Sequence, residues 1–406
     1  MELNTEAFAL LMLLAAVVAM AAKRLRVPYS AGLVLAGIAL AAFWHRPDFA
    51  VTKQLVFLVL LPPLIFEAAF HLHWPTLRRE LPVILAMAVL GVLLSVAVTA
   101  AGMHWLADWA WPGAALFGVL IAATDPVSVI ATFRGAGAHG RARLLVEAES
   151  LFNDGTAAVA FAVVLAMTTG QAMGPVLISQ KLLVTVLGSL FCGMVTSSWI
   201  LLLSTRTGDH LLEITLATVT AYGSFLLAEH LQLSGVLATL AAGIMFGNAG
   251  PGSRSLSPKG REAIESVFEY LAFIANSLVF LLIGMHEAAQ PFATLLRPAA
   301  IAIGMVILGR AAAVYPICAL FQRSSLRVEG RHQHILFWGG LRGSLALALA
   351  LALPAELSQR NDIVTTAFAV VAFSIFVQGA TMTPLLRRLG ELSPPAPVNP
   401  TSETRS

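Results

Sequence analysis

Long runs of apolar residues, separated by short polar loops, occupy most of this chain of 406 residues. A helix rises about 1.5 Å per residue, so runs of this kind predict helices that cross a hydrocarbon layer of about 30 Å. The runs cover residues 5–22, 27–43, 54–70, 81–102, 112–133, 144–167, 181–203, 211–228, 233–247, 264–286, 292–321, 333–353 and 362–386. The pattern therefore predicts an all-α polytopic membrane protein with about 13 transmembrane helices.

The composition agrees with this class and excludes others. Hydrophobic residues make up 58% of the chain and charged residues only 12%, whereas soluble proteins are about 25% charged. An ordinary soluble enzyme, a disordered chain and a nucleic-acid-binding protein are therefore excluded. The two cysteines, Cys192 and Cys318, both lie in apolar runs and cannot form a disulfide framework. Nothing in the sequence indicates an enzyme or a bound cofactor.

The distribution of positive charge predicts the orientation in the membrane. Of 25 lysines and arginines, 18 lie toward one side of the membrane, 5 toward the other and 2 deep within spans. The positive-inside rule then places the N-terminus outside and the C-terminus in the cytoplasm of a plasma or inner membrane. Residues 1–390 are predicted to form one membrane transporter domain. The proline-rich segment 391–406 is predicted to be a short disordered tail.

Three acidic residues lie deep within predicted spans. Glu67, Asp125 and Asp154 are each roughly 15–20 Å from a span end, near the middle of the membrane. Ionisable groups at that depth are costly and usually functional. Because the three spans enter from both sides, we expect their carboxylates to form one site that holds a cation or protons.

Two spans carry residues that interrupt a helix. Asp125 precedes Pro126, which lacks a backbone donor and disfavours helical geometry at the residue before it. Gly339, Gly340 and Gly343 also weaken a later span, because glycine loses more conformational freedom in a helix than other residues do. The sequence therefore predicts two discontinuous helices, spans 5 and 12, which in membrane transporters indicate inverted repeats with the binding site between them.

Polar residues flank Asp154 on the same predicted helix. Ser150 lies four residues before Asp154 and shares its face, and Glu149 is related to Asn153 in the same way. The Asn153 amide both donates and accepts, so it could cap the two ends of a broken helix. The sequence also predicts that the Ser150 hydroxyl lies beside the Asp154 carboxylate.

Two arginines within spans need buried counter-ions. Glu149 is the predicted partner of Arg342, and Glu269 is a possible partner of Arg310. We expect both arginines to support the structure rather than to bind the transported ion.

Four motifs in order resemble those of a known family: Phe66-Glu67-Ala68, Thr124-Asp125-Pro126, residues 149–155 (Glu-Ser-Leu-Phe-Asn-Asp-Gly) and Gly340-Leu341-Arg342-Gly343. They resemble the monovalent cation:proton antiporter-1 family, the NhaP-like sodium/proton exchangers. The resemblance implies exchange of Na⁺ or Li⁺ for H⁺ by alternating access, for pH and sodium homeostasis.

The resemblance also implies roles for individual residues. Asp154 would be the main ion and proton carrier, with Asp125 and Glu67 as further ligands. The Thr124 carbonyl and the Ser150 hydroxyl would complete the Na⁺ site. In a supporting role, Asn153 would stabilise the crossed half-helices, and Glu149 would pair with Arg342. The resemblance further implies a homodimer, with spans 1–3 and 7–10 as the dimerisation domain and spans 4–6 and 11–13 as a mobile core domain.

Several alternatives stay open at this point. Asn153 stands where electrogenic relatives carry a second aspartate, so electroneutral 1:1 exchange is the expectation. The oxygen ligands alone do not separate Na⁺ from K⁺, and a K⁺/H⁺ antiporter of the same fold is the main alternative. A cation channel and an intramembrane aspartyl protease are more remote. The protease would need a Gly-x-Gly-Asp motif, whereas Asp154 lies in Asn-Asp-Gly.

Overall fold

A computed structural model describes most of the chain, and the regular secondary structure of the described residues is helical. The described residues are 5–25, 29–43, 55–125, 140–170, 174–205, 208–249, 256–287 and 292–391. Apart from its first residue, the predicted tail 391–406 lies outside them, and so does Pro126.

Fourteen helices make up the described part of the chain. They are α1 Thr5–Leu25, α2 Tyr29–Phe43, α3 Leu61–Phe70, α4 Trp74–Leu106, α5 Trp111–Leu120, α6 Arg141–Thr168, α7 Pro175–Ser204, α8 His210–His230, α9 Gly235–Gly247, α10 Pro258–Glu287, α11 Phe292–Leu320, α12 Gly330–Trp338, α13 Ser344–Leu351 and α14 Arg360–Arg388. A π-helical stretch, Leu55–Leu60, leads into α3. Each of the thirteen apolar runs corresponds to one of these helices or, for 333–353, to the pair α12 and α13.

The helices have the lengths and the composition of membrane spans. Seven are long and apolar enough to cross a membrane, and five shorter apolar helices accompany them within the described ranges. The all-α polytopic membrane fold predicted from the apolar pattern is confirmed.

Both predicted interruptions coincide with the ends of short helices. Residues 339–343 are non-helical and separate α12 from α13, as the three glycines predicted. In the earlier span, α5 ends at Leu120, five residues before Asp125, and residues 123–125 have no regular secondary structure. The break in this span therefore begins earlier than the proline predicted. Whether a second half-helix follows lies outside the described residues, so the predicted pair of discontinuous helices and the inverted repeats stay a prediction.

The helices pack most extensively within two groups. In one group, α10 packs on α2 and α3, and α9 packs on α3, α7 and α8. In the other, α4 packs on α5 and α11, and α14 packs on α11 and α13. Glycines permit the closest approaches: an added Cβ at Gly37 or Gly284 would collide with backbone of the opposite helix, α10 or α2. The candidate site lies where the two groups meet.

Candidate ion-binding site

A cavity of about 260 Å³ lies between α3 and α10 on one side and α6 and α13 on the other. Glu67 from α3, Asp154 from α6 and Asp125 from the break after α5 all line it. The structure thus brings together the three carboxylates that the sequence placed at one depth. The polar residues of its lining are Tyr29, Glu67, Thr124, Asp125, Glu147, Asp154, Glu269, Asn276 and Ser344.

Residues of α6 fix the backbone of the break at Thr124. The Ser150 hydroxyl donates to the Thr124 carbonyl and accepts a hydrogen bond of 3.0 Å from the Thr124 hydroxyl. The Asn153 amide donates to the Thr124 hydroxyl (3.4 Å) and to Glu149 (3.3 Å). All four residues are buried. Asn153 thus contacts the break through the Thr124 side chain, and its capping of two half-helix ends stays a prediction. Ser150 holds Thr124 through hydrogen bonds and does not itself line the cavity.

Arg342 stabilises the same break rather than pairing with Glu149. Its guanidinium donates to the carbonyls of Ala122 (2.6 Å) and Ala123 (3.2 Å). These carbonyls have no helical hydrogen-bond partner, because α5 ends at Leu120. A cation at the C-terminal end of a helix also opposes the negative end of the helix dipole. The predicted Glu149–Arg342 ion pair was wrong, because the break needs donors for its free carbonyls and Arg342 supplies them.

Glu149 pairs instead with Arg310 of α11. The two side chains form a bidentate, buried ion pair with N–O distances of 2.7 and 2.9 Å. The Arg310 guanidinium also donates to the carbonyl of Leu336 (2.8 Å), near the C-terminal end of α12. The suggested pairing of Arg310 with Glu269 was therefore wrong. The C-terminal ends of α5 and α12 therefore each carry one arginine, and Glu149 balances the charge of Arg310.

Asp154 lies in a strongly charged environment without a full set of hydrogen bonds. Its buried Oδ1 accepts no hydrogen bond from any residue that the structure describes. Among these residues, Asp125 and Glu149 repel its negative charge and Arg342 attracts it. An ionised carboxylate in this position lacks both solvation and full compensation of its negative charge, so a proton or a bound cation would stabilise it.

The backbones of the two breaks touch, which positions Asp125. Its amide donates to the carbonyl of Leu341 (2.7 Å), and its carboxylate packs against Gly343, the residue before α13. The N-terminal end of a helix carries partial positive charge and favours a carboxylate. The break at 339–343 therefore holds Asp125 at the cavity wall.

We expect the Gly343→Ala variant to lose ion exchange. A methyl group there would lie closer than 3.0 Å to the Asp125 side chain, which must then move. A displacement of about 1 Å in a reactive site can reduce a rate by roughly 10²-fold. The matched control is Gly304→Ala in α11, where an added methyl group meets no atom within 4 Å. Equal exchange rates for the two variants in proteoliposomes would show that exchange does not require the Asp125 side chain to stay at this position.

Part of the cavity wall was not predicted from the sequence. Asn276 and Glu269 of α10 face the cavity from the helix group opposite Asp154, and Tyr29 does so from α2. The Tyr29 hydroxyl is held 2.6 Å from the Ser277 hydroxyl. Asn276 is a buried amide in an apolar run. It could have been found by extending the search for costly intramembrane groups from charges to amides.

The carboxylates line one cavity but do not converge into a closed metal cage. Within the described ranges, no three histidine, cysteine, aspartate or glutamate side chains are close enough together to hold one metal ion. The Na⁺ ligand set of Glu67, Thr124, Asp125, Ser150 and Asp154 therefore stays a prediction. To be a ligand, the Ser150 hydroxyl would have to reach the ion while it keeps its hydrogen bonds with Thr124.

Known proteins of similar sequence share nearly the whole chain. The ApNhaP Na⁺/H⁺ antiporter of Aphanothece halophytica is 36% identical over 368 residues, which cover 90% of this chain and 70% of that protein. The NhaP Na⁺/H⁺ antiporter of Pseudomonas aeruginosa is 32% identical, over 85% of this chain and 82% of that protein. An Na⁺/H⁺ antiporter of Halobacillus aidingensis, NhaH, is 30% identical over 94% and 96% of the two chains.

The fold and the family agree with these similarities. The structure of the sodium proton antiporter MjNhaP1 from Methanocaldococcus jannaschii at pH 8 superposes with a TM-score of 0.77 at 19% identity, over 94% of this chain and 97% of that one. The family described as "Sodium/hydrogen exchanger, transmembrane" matches residues 9–388. This chain therefore belongs to the sodium/hydrogen exchanger family of membrane transporters.

Proposed function

We propose that this protein is a secondary active antiporter that exchanges Na⁺ for H⁺ across the cell membrane. One observation carries the proposal: Glu67, Asp125 and Asp154 line a single cavity, while the nearby Glu149 is already neutralised by Arg310. Asp154, whose Oδ1 accepts no hydrogen bond within the described part of the chain, can therefore take up a proton or a hard cation, which prefers oxygen ligands. The relatives named as Na⁺/H⁺ antiporters support the same function and favour Na⁺ over K⁺.

Exchange follows from competition for Asp154. The ionised side chain is costly when it holds no ion, because Asp125 and Glu149 repel it and no described residue donates a hydrogen bond to its Oδ1. Either H⁺ or Na⁺ removes that cost, and the two compete because a protonated Asp154 no longer supplies the negative charge that would hold Na⁺. If only the loaded forms cross the membrane, each Na⁺ moved one way requires proton movement the other way.

Movement of the site is proposed to occur at the boundary between the two helix groups. The cavity has walls from both groups, so a shift of one group against the other would change which side it opens to. The group containing α4, α6, α11 and α14 would be the mobile core. The group containing α2, α3, α9 and α10 would be the fixed dimerisation domain of a homodimer.

The test uses proteoliposomes with a trapped pH dye and an imposed pH gradient. Adding Na⁺ or Li⁺ is expected to dissipate the gradient, and adding K⁺ is expected to have a much smaller effect. A response to K⁺ alone would favour the K⁺/H⁺ alternative. Ion flux without proton movement would instead indicate a channel.

Electroneutral exchange is a separate prediction. Asp154 is the one carrier carboxylate proposed on α6, because Asn153 occupies the preceding position. One carrier charge takes one H⁺ or one Na⁺, so the final Na⁺ distribution should not depend on a membrane potential set with K⁺ and valinomycin. A distribution that shifts with the potential would show that a second charge moves in each cycle.

A further inference from the structure

A second and larger cavity lies away from the charged site. Its volume is about 810 Å³, and it is bounded by α4, α6, α7 and α9. Its walls are mainly aliphatic and aromatic, with contributions from Leu85 of α4, Phe152 of α6, Met194 and Leu202 of α7, and Met245 of α9. None of the carboxylates of the ion site reaches it. We refer to it as the apolar groove.

The apolar groove has the length and the exposure of a site for an acyl chain. Along α7 it extends from Leu190 to Thr205, which is about 22 Å at 1.5 Å per residue. One leaflet contributes about half of a hydrocarbon core of about 30 Å. Met194 and Leu202 on its wall are 46% and 55% exposed, so the groove is open at the helix surface.

One end of the groove carries the features of a membrane–water interface. Trp74 begins α4 there, and its amide donates to Asn248, which follows the end of α9, at 2.7 Å. Trp74, Arg78, Leu81 and Leu85 lie on one face of α4, at spacings of four, three and four residues. The Arg78 side chain is exposed and forms no ion pair with the residues that the structure describes. An uncompensated cation next to an interfacial tryptophan would attract an anionic headgroup.

We propose that the apolar groove binds an anionic phospholipid, with one acyl chain along α7 and the phosphate at Arg78. Charge complementarity selects this occupant, because an uncharged chain alone would leave Arg78 without a partner. The lipid would contact α4 and α6 of one helix group and α7 and α9 of the other. Its binding does not rest on the proposed function and can be measured without ion transport.

The experiment measures lipid binding to the purified full-length protein by native mass spectrometry. Phosphatidylglycerol and phosphatidylcholine with identical acyl chains are titrated separately. Wild-type protein is expected to bind phosphatidylglycerol about five-fold more tightly, as one interfacial arginine would provide. The Arg78→Gln variant should lose this preference. The control Arg297→Gln removes another exposed arginine, which contacts Leu106 at the end of α4 opposite Trp74, and should keep the preference.

A second pair of variants tests the position of the acyl chain. Met194→Trp fills the groove and is expected to weaken binding of both lipids, whereas Leu183→Trp, exposed on α7 beyond the groove, should not. The proposal is overturned if the two lipids bind wild type equally, or if Arg78→Gln keeps the preference. It is also overturned if Met194→Trp leaves lipid binding intact. Loss of the dimer mass in Met194→Trp, with lipid binding unchanged, would identify a second copy as the occupant.

Discussion

The Asp154→Asn variant is expected to fold normally and to show no Na⁺-dependent proton movement in proteoliposomes. An asparagine amide has nearly the size of the carboxylate, so packing in α6 is preserved. It neither takes up a proton near neutral pH nor supplies a negative charge to a cation. Because Asp154 is the proposed carrier for both ions, we expect exchange to fall to the background of empty liposomes.

Asp209→Asn is the matched control for this substitution. Asp209 is the N-cap of α8, where its side chain accepts from the Leu211 amide at 2.9 Å, and asparagine is an equally good N-cap. This control should exchange at the wild-type rate with the wild-type thermal stability. Wild-type exchange by Asp154→Asn would remove Asp154 from the carrier role.

The second large effect is expected on stability, from the Arg310→Met variant. Removing the guanidinium leaves Glu149 buried without its bidentate partner and leaves the Leu336 carbonyl without that donor. Breaking a buried ion pair from one side typically costs about 3–5 kcal/mol. We therefore expect a marked fall in the melting temperature of the detergent-solubilised protein, measured by tryptophan fluorescence.

A double variant distinguishes the effect of the unpaired Glu149 charge on stability from the effect of lost packing. Arg310→Met combined with Glu149→Met removes both charges and should recover much of the lost stability, since apolar replacements of buried pairs are often well tolerated. Arg297→Met, at a position where the side chains are largely exposed, should have almost no effect. If Arg310→Met melts like the wild type, Glu149 has another partner in the protein.

Much of the architecture could be predicted because its causes are local. Apolar runs need no knowledge of their neighbours to predict spans, and the glycines at 339, 340 and 343 predicted the break before α13. The depths of Glu67, Asp125 and Asp154 follow from counting along each run. Their shared cavity was therefore predictable, provided that the three spans pack together.

The pairing of the buried charges could not be predicted in the same way. Arginine side chains are long, so the choice of Glu149 between Arg310 and Arg342 depends on how α6, α11 and α13 are rotated against each other. The end of α5 at Leu120 also depends on tertiary contacts. Arg342 and Ser150, which lie elsewhere in the sequence, donate to the carbonyls of Ala122 and Thr124, and these tertiary hydrogen bonds replace helical ones beyond Leu120.

Proton release on Na⁺ binding tests whether the two ions compete for Asp154. Purified protein in a weakly buffered solution with a pH dye is mixed with Na⁺ at a pH where the site is protonated, and N-methylglucamine chloride controls for ionic strength. Competition predicts release of up to about one proton per chain, saturating with Na⁺ and absent in Asp154→Asn. Saturable Na⁺ binding to the wild type without proton release would contradict it, because both ions would then occupy the protein together.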